Sequence, residues 1–133
     1  MTTDIITGAE LAETLLKGVG NEQMQAATRL LGAHREGYWL RRLLEEQTLT
    51  ASANQPVGPV IDRTGAHPSV DWNAVGLILL TQPWVLQCSS SELAVLEFAA
   101  SLVGKVGVNL HKALSAVDAR ELELLLKAMR EAA

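Results

Sequence analysis

The chain has 133 residues, 48% hydrophobic and 20% charged, with a formal net charge of −4 and a pI near 5.3. That length suits one domain with its own core, and that balance excludes a disordered chain, which combines low hydrophobicity with high net charge. The acidic balance also works against nucleic acid as a partner, since a phosphate-binding face is normally basic. A single cysteine, Cys88, allows neither an internal disulfide nor a thiolate metal cluster and points to a reducing, cytoplasmic setting.

Thr7 and Glu10 have the spacing of a capping box, and Leu11, Leu15 and Leu16 follow at helical intervals until Gly18 and Gly20. The first helix is therefore expected over about 8–17. No basic region or long apolar run precedes it, so no signal peptide is expected. Asn21 is placed to cap a second helix with Met24, Ala27, Leu30 and Leu31 on its apolar stripe. The pattern weakens from Gly32 to Gly37 and resumes at Tyr38, Leu40, Leu43 and Leu44, which fits either one long helix with a loose middle or two helices meeting near Gly37. Arg41 with Glu45, and Arg42 with Glu46, have the four-residue spacing of solvated helix pairs.

Residues 47–68 are rich in Thr, Ser, Asn, Pro and Gly. Two short extended pieces, near Thr48 to Ala51 and Val60 to Asp62, suggest one small β-hairpin within residues 48–62. Ser69 or Asp71 opens the next helix, carrying Trp72, Val75 and Leu79, and Pro83 ends it. Residues 72–91 contain no Asp, Glu, Lys or Arg, but the solidly apolar part, Ala74 to Leu80, is too short to span a membrane, so it is expected in the core. Ser89 and Glu92 form a second capping box. The helix behind it, Ser89 to Val103, is apolar nearly all round and is expected at the centre, with the Trp72 and Leu122 helices packed on it. Asn109 caps a short helix. Asp118 and Glu121 open the last one, where Leu122, Leu125, Leu126 and Met129 form the apolar stripe and Glu121 faces water. The expected architecture is mainly α: a single domain over 1–133, a compact bundle of about six helices.

The run Ser89-Ser90-Ser91-Glu92-Leu93-Ala94-Val95-Leu96-Glu97-Phe98-Ala99-Ala100-Ser101-Leu102 resembles a Ser-Ser-x-Glu…Ala-Ala-Ser-Leu stretch of small actinobacterial helical proteins of unknown function. Val108-Asn109-Leu110, Asp118, Gly37-Tyr38-Trp39-Leu40-Arg41-Arg42 and Val70-Asp71-Trp72 are similar to further elements of those proteins. The resemblance implies a shared fold and supplies no activity, so no functional residue is carried over.

Candidate chemistry is sparse. No phosphate loop, dinucleotide fingerprint or His-Glu-x-x-His spacing occurs, no cofactor is implied, and the balance leans against an enzyme. Ser89 to Ser91 sit where serine caps sit, and Cys88 beside apolar Trp84 to Leu86 reads as packed rather than reactive. The first functional expectation is a non-enzymatic, self-associating interaction module, a dimer, with Tyr38, Trp39, Arg41 and Arg42 as a surface patch, because exposed Trp and Arg are enriched in interface hot spots. The second is a small-ligand or metal site at Asp62, His67 and Asp71, built from imidazole and carboxylates. The third is a nucleic-acid-binding regulator using Arg35, Arg41 and Arg42.

Overall fold

The computed structural model describes residues 6–45 and 59–133. The described residues form seven α-helices and a two-stranded sheet: α1 (Gly8–Leu15), α2 (Glu22–Ala33), α3 (Tyr38–Leu44), β1 (Ile61–Asp62), β2 (Ser69–Val70), α4 (Trp72–Thr81), α5 (Ser90–Leu102), α6 (Leu110–Ala116) and α7 (Ala119–Ala132). The mainly helical expectation holds. All three capping boxes form: Thr7 with Glu10, Ser89 with Glu92, and Asp118 with Glu121 each exchange side-chain and backbone hydrogen bonds. Asn21, Asp71 and Asn109 accept from the amide three residues on, as N-caps do.

Between α2 and α3 the chain makes a tight turn over His34–Glu36, closed by Gly37 at φ 78, so the two-helix reading is the observed one. Arg35 and Glu36 both take positive φ, 48 and 54, a conformation that costs a non-glycine residue energy and persists where neighbours fix it. The hairpin is present as an antiparallel pair, Ile61 opposite Val70 and Asp62 opposite Ser69, extended by Asp71 N–H donating to the Val60 carbonyl. Ile61–Asp62 thus pairs downstream; the Thr48 to Ala51 piece lies outside the described residues.

The Trp72 and Leu122 helices pack on the Ser90–Leu102 helix as expected, but that helix is not the main hub of the bundle. The hub is α2, which packs on α1, α3, α5 and α7, while α5 lies beside it and carries α4, α6 and α7. Hydrophobicity alone pointed to α5; small side chains give α2 its place. Ala26, Ala27, Thr28 and Gly32 are buried on it and let neighbouring backbones come close. The closest approach is at Gly8 of α1, where an added Cβ would lie 2.0 Å from the Gly32 carbonyl oxygen and 2.6 Å from the Gly37 nitrogen. One glycine contact therefore fixes both the α1–α2 crossing and the position of the His34–Gly37 turn.

The last helix is also rotated from its expected face. On α7 the buried side chains are Glu121, Leu125 and Ala128, whereas Leu126 and Met129 remain exposed. Glu121, expected in water, is turned inward by bonds that only the fold creates.

Candidate functional site

The turn after α2 places a histidine in the core. His34 is 1% exposed, and its Nε2 lies 2.8 Å from Glu121 Oε2 at the start of α7. Glu121 is held by its capping box, its Oε1 accepting from Asp118 N–H at 3.0 Å. Arg35 then bridges α7 and α5: its Nη1 is 2.5 Å from Glu92 Oε2, its Nη2 donates to Ser91 Oγ at 3.1 Å and lies 3.6 Å from Glu121 Oε2. Burial pushes the Glu92 carboxyl up, but hydrogen bonds from Ser89 and the Arg35 charge outweigh it and leave the carboxyl below its ordinary value. Two N-terminal capping boxes thus present Glu121 and Glu92 to one strained turn.

Glu121 Oε2 engages the imidazole at Nε2, and Nδ1 lies on the other side of the ring. That Nδ1 is buried without a hydrogen-bond partner among the described residues. Beside it lies a depression of about 390 Å³ lined by His34, Glu36, Asp118 and Arg120, among others. Nothing in the local sequence around His34 announced this cluster; the capping spacing of Glu121 was visible, but its histidine partner is 87 residues away.

The expected surface patch is a correction. Trp39 is 0% exposed, and its indole N–H donates to the Glu92 carbonyl at 2.8 Å, so it anchors α3 to α5 and cannot meet a partner. Tyr38 packs edge-on against it with centroids 5.2 Å apart. Arg42 sits over both rings and donates to the Tyr38 hydroxyl and the Leu86 carbonyl. Arg41 donates to the carbonyls of Glu36 and Ile6 rather than pairing with Glu45. With Arg35 held by Glu92 and Ser91, all three guanidiniums of the supposed nucleic-acid face make intramolecular bonds.

Asp62, His67 and Asp71 do not assemble as a metal site. Asp62 accepts from the Thr64 amide and hydroxyl, which lowers its carboxyl pKa, and Asp71 is occupied as the α4 cap. These two carboxylates share one shallow depression with Trp72 and Lys105, but exposed His67 is not part of its wall. Among the described residues no three His, Cys, Asp or Glu side chains are grouped to hold a metal ion.

A second feature is apolar and outside. Leu77 and Leu80 are 46% and 66% exposed and with Asn73 recur at four- and three-residue steps along α4, and Trp84 is 59% exposed in the turn after it. The opposite side of α4 buries Trp72, Val75, Ile78 and Leu79 in the core. A shallow groove of about 350 Å³ runs along Asn73, Gly76, Leu77 and Leu80 to Lys105, where the Gly76 backbone touches the neighbouring turn: an added Cβ would be 2.9 Å from Lys105 Cβ. Among the described residues no helix is long and apolar enough to cross a membrane. Fold and sites together define a small helical domain with a buried His34–Glu121 pair bridged by the exposed Arg35, and an apolar outer helix face; no protein-family model, curated protein or solved structure matches it.

Proposed function

We propose that the chain is a non-enzymatic interaction module that pairs with a second copy of itself through the outer face of α4, in the cytoplasm. The carrying observation is the exposure of Leu77 and Leu80 on the outer side of α4, with Trp84 exposed in the turn that follows. Isolated exposed apolar residues are ordinary, whereas several contiguous ones mark interaction surfaces. A second copy is the fitting occupant because residues 72–91 hold no charged side chain and the groove beside them is edged by Lys105, so the acidic groups of the two chains are kept off this face. A twofold axis then sets each Leu80 against the same face of its partner.

Covering these side chains is worth on the order of 1–2 kcal/mol each, and two copies contribute six. Association costs about 4–15 kcal/mol in lost freedom. The balance gives a reversible, concentration-dependent dimer rather than a permanent one. Cys88 fits a packed, unreactive thiol: burial raises its pKa, with Glu92 adding to the effect, and a neutral thiol is a poor nucleophile.

Trp84 supplies the test. Trp39 and Trp72 are buried, so a concentration-dependent blue shift of tryptophan emission must come from Trp84. The expected result is a shift on concentrating the protein that disappears in Trp84→Phe. Emission independent of concentration contradicts the reading.

A further inference from the structure

We infer that the groove between α1, α2 and α7 is a binding site for a neutral apolar molecule about the size of two fused rings. It lies on different helices from the α4 face and does not depend on the pairing proposed there. The groove holds about 240 Å³. Its floor is aliphatic: Ala9 and Ala12 of α1, Leu30 and Ala33 of α2, and Leu124 and Ala128 of α7. Four of these six are alanine, so the three helices leave between them a space that longer side chains would have filled. A mostly apolar cleft with a few polar groups at its edge is the usual build of a small-molecule site.

Size and charge select the ligand. An apolar cavity of about 150 Å³ takes one benzene ring, so this groove takes about two fused rings. Four charged side chains edge it: Glu13, Arg29, Lys127 and Glu131. Arg29 Nε donates to Glu13 Oε2 at 2.8 Å, tying α2 to α1. Arg29 also feels the charge of Glu131, and Lys127 stands one helical turn before Glu131 on α7. The edge thus carries two charges of each sign, and an ionic head would find no net counter-charge there. Binding must come from apolar contact, which is proportional to the area covered. The hydrocarbon stems of Arg29 and Lys127 add to it, since such stems lie along apolar surface while their charges stay in water.

The experiment titrates the full chain separately with indole, indole-3-acetate and tryptamine, following backbone amides and alanine methyls by NMR. Saturable binding of indole is expected, with the methyls of Ala12 and Ala128 moving most. The anionic and cationic relatives should bind no more tightly than indole. Ala9→Leu/Ala33→Leu fills the groove from two exposed positions. Circular dichroism confirms the fold of this variant, and indole should bind it at least about tenfold more weakly, because the added side chains cover the apolar floor. Shifts that rise without saturating, that fall on Leu77 and Leu80 rather than on the groove, or that persist undiminished in the double variant overturn the site. Either charged relative binding more tightly than indole overturns the neutral class of ligand.

Discussion

The His34 turn and the α4 face invert the usual arrangement in opposite ways. At the turn, charged and polar groups lie inside; on α4, large apolar groups lie outside. The polar inversion is satisfied almost completely, by Glu121, Arg35, Glu92 and Ser91, with one imidazole nitrogen left over. The apolar inversion is not satisfied at all within one chain. The first therefore holds the fold together, whereas the second is the face through which pairing is proposed. Buried polar and exposed apolar groups are the informative exceptions in any fold, and here each carries a different role.

Substitutions separate the two regions, and the largest effect should come from beneath the turn. Gly8→Ala drives a methyl into the Gly32 and Gly37 backbones, with no flexible side chain to yield. We expect a loss of about 3 kcal/mol or more by urea denaturation, enough to leave little folded protein. Glu121→Ala should cost about 3 kcal/mol, because His34 and the α7 cap both lose their acceptor while His34 stays buried. Glu121→Gln, which keeps an acceptor, should cost visibly less in the same thermal melts; equal losses would mean that the carboxylate charge matters more than the hydrogen bonds.

Acid should act on the turn through Glu92. Its carboxyl is lowered in the folded chain, so its contribution is fully present above the unfolded value of about 4.3 and is lost as pH falls through the lower folded value. Melting temperature should accordingly decline below about pH 4, and Glu92→Gln should flatten that decline. The smallest stability effect belongs to the other region: Leu80→Glu removes an exposed side chain and should leave the monomer's stability within about 0.5 kcal/mol, even as it abolishes pairing.

What could be read from the sequence was local. Caps at Thr7, Asn21, Ser89, Asn109 and Asp118 lie within three residues of the amides they serve, so spacing alone reveals them. The place of α2 was hidden because its packing rests on Ala26, Ala27 and Gly32, whose small size matters more than their hydrophobicity. Trp39 looked like a surface anchor because it stands beside two arginines, yet Arg42 covers its ring instead of projecting away. The His34 cluster joins residues from three elements, and no periodicity encodes such a meeting. The apolar face was not anticipated, since Ala74 to Leu80 was expected in the core as a whole; which of these residues point outward from α4 is decided by the side that packs on α5.

Sedimentation velocity over a wide concentration range, on the unaltered chain and on Leu77→Glu/Leu80→Glu, tests self-pairing through α4 most directly. The account predicts a reversible monomer–dimer equilibrium for the former and a folded monomer at every concentration for the latter. A monomer in both, or a dimer undisturbed by the two glutamates, would contradict it.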